Sequence, residues 1–172
     1  MAEPRFVLDP ELTPALTGDL LDCWVEVTNA GGAVGFTPPV TRADVEETAA
    51  ATFAACPEPD HLLAGFDPEG RVVCWLVLNH PRVSLYSHWR RVLRVMVRPA
   101  YQGLGHGTRL MRAAEDAGRR LGVEALHLTV RGGTGTEGFY ARLGYAEVGR
   151  IPNAIRVAPG DDREEIYMVR SL

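Results

Sequence analysis

The chain has 172 residues, 46% of them hydrophobic, and a formal net charge of −4; that length suits one domain, residues 1–172, whose core needs no disulfide or metal staple. All 18 of its basic side chains are arginines, which excludes chemistry that depends on a lysine, such as a Walker-type phosphate site or a Schiff base. The acidic balance argues against nucleic acid as a partner, because that partner needs a basic face.

Arg5–Leu8 reads as a short strand closed by Asp9-Pro10. From Thr13 to about Asn29, Leu16, Leu20, Leu21, Trp24 and Val27 recur with helical spacing, with Thr13 as N-cap and Pro14 in the first turn. The glycine-rich stretch Gly31–Phe36 breaks that helix, and Thr41 opens a second one that runs to about Ala55. Two strands, His61–Asp67 and Arg71–Asn79, flank the hairpin signal Pro68-Glu69-Gly70, and Arg90–Arg98 forms the next. A helix spans about Gly105 to Leu121, followed by a strand at Ala125–Val130 and a short helix at Thr136–Leu143. Strands at Tyr145–Ile151 and Glu165–Arg170 complete the order β-α-α-β-β-β-α-β-α-β-β, and Asp161–Glu165 reads as a solvated turn. The fold class is α/β (α+β), a mixed central sheet with helices on both faces.

Cys23, Cys56 and Cys74 are too few and too scattered for a disulfide framework and read as free thiols of a reducing compartment. No apolar run approaches the roughly 18 residues of a membrane span, and the N-terminus lacks a signal-peptide layout. The expectation is a cytoplasmic protein with no membrane partner and no metal.

The densest chemistry lies in Val95–Thr108, where a strand enters a loop with glycines at 103, 105 and 107 and the loop opens a helix. Glycines there let several backbone N–H groups converge, and the helix start adds partial positive charge. A tight turn would need only one glycine, so an anion such as a pyrophosphate is the better reading. A dinucleotide site of the GxGxxG type fits worse, because the loop is GxGxG and sits in mid-chain.

Gln102-Gly103-Leu104-Gly105-His106-Gly107 resembles the Gln/Arg-x-x-Gly-x-Gly/Ala loop of the GNAT N-acetyltransferases. Phe139-Tyr140-Ala141-Arg142-Leu143-Gly144-Tyr145 is similar to that family's second signature, in the matching order and spacing. Gly31–Phe36, and the ending Gly149-Arg150-Ile151-Pro152 followed by Glu165-Ile166-Tyr167, are more narrowly similar to tabtoxin-resistance-type acetyltransferases. The resemblance implies a GNAT fold with splayed central strands and acetyl-CoA lying in the gap between them. It implies that backbone groups of Met96 and Val97 hold the pantetheine arm, and that Gln102, Gly103, Leu104, Gly105, His106, Gly107 and Thr108 form the pyrophosphate cradle. Met96 would also donate to the acetyl carbonyl, and Tyr140 would protonate the departing thiolate. The plainer reading of Tyr140 is a core aromatic beside Phe139.

No carboxylate stands at the family's usual base positions: Trp89–Arg94 and His127–Arg131 contain none. His127, His88 and Glu137 are the substitutes available, although a lone strand histidine is more often structural. Arg90, Arg91, Arg94, Arg98 and Arg131 crowd the two strands, and alternation puts Arg90, Arg94 and Arg98 on one face. They read either as a solvated face or as a grip on an acidic acceptor. The expected function is acetyl transfer to the primary amine of a small molecule, amino-acid-like or an antibiotic. A non-catalytic acetyl-CoA sensor and a peptide N-terminal acetyltransferase are the alternatives, and an exposed last strand would allow a homodimer.

Overall fold

The computed structural model describes residues 3–172. Its elements are β1 (Arg5–Leu8), α1 (Pro14–Asn29), α2 (Arg42–Ala54), β2 (His61–Phe66), β3 (Val72–Asn79), β4 (Trp89–Val97), α3 (His106–Arg120), β5 (Ala125–Arg131), α4 (Thr136–Arg142), β6 (Ala146–Ala158) and β7 (Asp161–Ser171). All seven strands share one sheet in the order β1-β2-β3-β4-β5-β7-β6. Every pairing is antiparallel except β4 with β5.

Local signals place the helix ends. Thr13 Oγ1 accepts the Leu16 N–H at 3.3 Å and Pro14 opens α1, while Asp44 accepts both the backbone N–H and the hydroxyl of Thr41 at 2.7 Å ahead of α2. Helices α1 and α2 cover one face of the sheet, where Leu20, Trp24, Val45 and Phe53 pack on Leu62, Trp75, Val77 and Met96. Helix α3 covers the other, with Leu110, Met111, Ala114 and Ala117 against Leu76, Leu126, Leu128, Ile166 and Met168. Arg98, 1% exposed, ties α1 to the sheet. Its guanidinium pairs with Asp19 and Glu26 and also donates to the backbone carbonyls of Val72, at 2.6 Å, and Asp19, at 2.9 Å.

A bulge in β4 changes which side chains share a face. Leu93 pairs with Val77 and Met96 with Trp75, so Arg94 and Val95 together oppose one residue of β3. Arg94 takes the left-handed conformation, φ 57°. Beyond the bulge the alternation restarts with opposite parity. Leu93 and Met96 pack on the α1 side, whereas Val92, Val95 and Val97 pack on the α3 side. The expectation that Arg90, Arg94 and Arg98 share a face is therefore overturned. Arg94 and Arg98 face α1, and Arg90, in phase with Val92, lies on the opposite face with Nη1 donating to the carbonyls of Ser87 and Trp89.

β4 and β5 stay together for three residue pairs, Trp89 with Ala125, Arg90 with Leu126 and Arg91 with His127. After that β4 follows β3 and β5 follows β7, leaving two strand edges facing each other across a gap. The β6–β7 hairpin is longer than the sequence reading, and Asp161–Glu165 belongs to a strand rather than a solvated turn. Cross-strand pairs hold its outer half, including Arg156 with Asp162 at 2.7 and 2.8 Å and Arg150 with Glu164 at 2.5 Å. Pro152 sits in a bulge of the edge strand, where the β6–β7 register shifts between Ile151 and Ile155, a place in a sheet that tolerates a missing N–H. The last strand, β7, is internal, between β5 and β6, so it offers no free edge for a second copy.

Candidate active site

The gap between β4 and β5 opens into two cavities. The first, about 600 Å³, runs from the glycine loop along Val95 and Val97 to Thr129, Phe139 and Tyr140, roofed by Ala30–Val34. The second, about 550 Å³, lies between the loop 33–37, the bulge of β4, and Ile155–Val157 of β6. Ala33, Val34, Thr129 and Arg131 border both, so the two cavities adjoin along a shared wall at the gap.

At the first cavity, Gly105 caps α3 in the left-handed conformation, φ 79°, and Gly103 has φ 75°. The first in-helix bond is Arg109 N–H to Gly105 O at 3.1 Å. The amides of His106, Gly107 and Thr108 therefore have no helical acceptor, and no acidic side chain occupies the first turn. This is a donor array facing open space, and it fits a phosphate group. Gln102, Gly103, Gly105, His106, Gly107 and Thr108 border the cavity, as expected. Leu104 does not; its side chain is exposed and its carbonyl accepts Arg109 Nη1 at 3.0 Å. His106 is almost fully buried against Tyr101, and that burial lowers its pKa below 6.5, keeping the ring neutral.

The backbone of β4 corrects the role given to Met96. Arg98 N–H bonds to Val73 O at 2.9 Å, so by ladder alternation Met96 directs its peptide groups at β3, and its side chain is buried beneath α1. Val95 and Val97 border the cavity and Met96 does not. The Val97 carbonyl accepts Gln102 Nε2 at 2.9 Å, which gives Gln102 a positioning task. The sequence signal for this swap was the inward alternation of Val95 and Val97, hidden by the bulge just before them.

Tyr140 borders the same cavity, edge-on to Phe139 at 5.0 Å and to Tyr145 at 5.9 Å between ring centroids. Burial raises the pKa of its hydroxyl well above 10, so it stays protonated. Phe139 borders the cavity too; a step of about 100° per residue lets neighbours flank one groove that wraps a helix end. Before this helix, Thr134 Oγ1 donates to the Arg131 carbonyl at 2.8 Å and lies 2.6 Å from Thr136 Oγ1.

At the second cavity, Arg91, Arg94, Arg131 and Arg156 are the charged residues of the wall. Arg98 is in the α1 core and Arg90 on the other face, so two of the five arginines read from the sequence are structural. Arg156, Ile155 and Val157 were not anticipated, because the hairpin that carries them read as coil. Arg94 lies 4.6 Å from the Trp24 ring centroid and donates to Val34 O at 2.9 Å. Of the substitute bases, His127, His88 and Glu137, none borders either cavity. Burial and Arg91 lower the His127 pKa. Glu165 and Tyr167, singled out in the sequence only by the narrower resemblance, form a cluster beside the pocket: Glu165 accepts the Tyr167 hydroxyl at 2.9 Å and lies 3.8 Å from Arg91. Among the described residues no group of three or more His, Cys, Asp or Glu is arranged for a metal, and no helix is long and apolar enough to cross a membrane.

Comparison with known proteins agrees with this geometry. Residues 30–145 match the family model of the acetyltransferase (GNAT) family, while no curated protein matches the sequence. A GCN5-related N-acetyltransferase from Kribbella flavida superposes with a TM-score of 0.77 at 20% identity, covering 97% of this chain and 98% of that one. A protein assigned as a phosphinothricin N-acetyltransferase gives 0.76 at 22% identity, over 98% and 99% of the two chains. An aminoglycoside 6'-N-acetyltransferase complexed with coenzyme A gives 0.74 at 18% identity, over 97% and 96%. With the family's signature loop, splayed strands and helix start all present, the chain belongs to the GNAT family and is an N-acetyltransferase.

Proposed function

We propose that the protein transfers the acetyl group of acetyl-CoA to the primary amine of a small molecule by direct attack within a ternary complex. The observation that carries this reading is that the glycine-loop cavity and the arginine-lined pocket adjoin and share wall residues. The amides from Gly103 to Thr108 hold the pyrophosphate, assisted by the start of α3. Open-edge peptide groups of Val95 and Val97 hold the pantetheine as a strand would, and the Val95 N–H serves the acetyl oxygen where negative charge gathers. Acetyl-CoA supplies an activated thioester; the amine nitrogen forms the C–N bond and the C–S bond breaks. A thiolate resembling that of cysteine, pKa about 8.5, leaves and takes the Tyr140 proton, and the surplus proton on the nitrogen restores the Tyr140 hydroxyl. The amine enters from the second cavity. The β6–β7 hairpin walls that cavity through Ile155–Val157, which favours a small acceptor over a peptide chain. Three free cysteines, with burial pushing Cys23 and Cys74 up to about 12, suit the reducing cytoplasm.

The test is thiol release from acetyl-CoA across amino acids, dipeptides, polyamines and antibiotic amines, with calorimetric titration of coenzyme A alongside. Release with one small-molecule class is the expected result. Coenzyme binding without release for any amine would turn the reading toward a sensor, and absence of binding would refute the cleft assignment.

A further inference from the structure

We infer that the acceptor carries an acid group, a carboxylate or phosphonate, gripped by Arg94 and Arg131; this rests on the acetyl-transfer reading above. A charge count over the pocket leads there. Arg156 is neutralised by Asp162 through two hydrogen bonds. Arg91 has Glu165 at 3.8 Å and donates to Thr129 at 3.1 Å. Arg94 and Arg131 have no carboxylate within 4.0 Å among the described residues, and no Asp or Glu borders the cavity.

Arg94 is held in place for a purpose beyond charge. Its backbone takes the left-handed conformation at a bulge, a cost of the kind that gathers at functional sites. Its guanidinium lies on the Trp24 ring and spends one N–H on Val34 O. A guanidinium has five donors, so most of the fork is free on the cavity side, prearranged for bidentate contact. Arg131 stands where the two cavities meet, at the reacting end of the acceptor. Asp161 and the cross-strand Glu165 lie in the longer-range field of Arg131 without pairing with it, so among the described residues the result is a partly desolvated cationic pocket in which neither guanidinium is ion-paired.

The same charges bear on the missing base. Nearby cations disfavour a protonated amine, so the pocket promotes the neutral nucleophile that attack requires. The acid group supplies the attraction that a lone ammonium would lack there. A polycationic acceptor is repelled by the same two arginines.

The experiment pairs amines that differ only in the acid: alanine with ethylamine and γ-aminobutyrate with n-propylamine, plus an aminoalkylphosphonate to separate carboxylate from phosphonate. Thiol release gives kcat/KM, and Trp24 fluorescence follows binding without turnover. One charge-assisted contact corresponds to about 10- to 100-fold. The acid-bearing member of each pair should lead by at least about that factor. Arg94→Gln, and separately Arg131→Gln, should reduce that lead about tenfold or more through KM while coenzyme affinity holds. Preference for the neutral or cationic member overturns the inference, as does an Arg94→Gln and Arg131→Gln loss shared equally by all amines. Acid binding that quenches Trp24 and is lost in Arg94→Gln, without thiol release, would sink the transfer reading while the acid site stands.

Discussion

Gly35 is the position where one methyl group tests the architecture of the acceptor pocket. A Cβ there would fall 2.1 Å from Arg94 Nη1 and 3.0 Å from its Cζ, in a backbone conformation of φ 104°. The guanidinium must leave, losing its 2.9 Å bond to Val34 O and its place on the Trp24 ring. A charged hydrogen bond is worth about 1.5 kcal/mol at the low end, and an exposed cation–π contact about 0.5–1 kcal/mol. Left-handed backbone strain adds about 1–2 kcal/mol. Gly35→Ala should therefore destabilise the protein by about 3–4 kcal/mol. In an Arg94→Met background only the backbone part remains, about 1–2 kcal/mol. Urea unfolding of the four members of this double-mutant cycle gives the coupling, expected near 2 kcal/mol, well above the ~0.3–0.5 kcal/mol of independent sites. An equal cost of Gly35→Ala in both backgrounds would refute the reasoning, because the collision would then lie elsewhere. The acceptor KM should rise in parallel, since the displaced guanidinium is the one facing the pocket.

Tyr140→Phe should lower kcat by about 10²-fold or more, the usual size of a general-acid contribution, with coenzyme affinity unchanged; steady-state kinetics with a coenzyme titration checks both. Gly105→Glu should abolish coenzyme binding by calorimetry, since it puts a carboxylate at the helix start and a side chain at φ 79°. Arg98→Met removes a buried cation from Asp19 and Glu26, whose side chains are 27% and 40% exposed and can rehydrate. The loss should sit at the low end for a broken buried pair, about 3 kcal/mol by urea unfolding, without an effect on KM. Burial and Arg91 hold His127 below its ordinary 6.5, so the folded ring stays neutral while the unfolded one takes up a proton. Its contribution is complete above about pH 6.5 and is lost as pH falls through the folded value. Urea midpoints should decline from pH 6.5 to 5, less steeply in His127→Gln.

The sequence alone determined the elements whose causes are local. Thr13-Pro14 and Thr41 with Asp44 set two helix starts, Pro68-Glu69-Gly70 set the hairpin, and the strand–glycine–helix order of Val95–Thr108 located the glycine loop and the start of α3. Each is decided within about one turn of chain, where propensity and hydrogen-bond geometry suffice. Partners distant in the chain decided the rest. The β4 bulge exists only in register with β3, and it moved Arg90 off the face of Arg94 and gave Val95 the groove position expected of Met96. Arg98 became structural because Asp19 and Glu26, 79 and 72 residues away, come to rest beside it. The outer hairpin walls the second cavity because β7 pairs between β5 and β6. Strand parity and charge pairing are properties of neighbours in space, and only the assembled sheet supplies those neighbours.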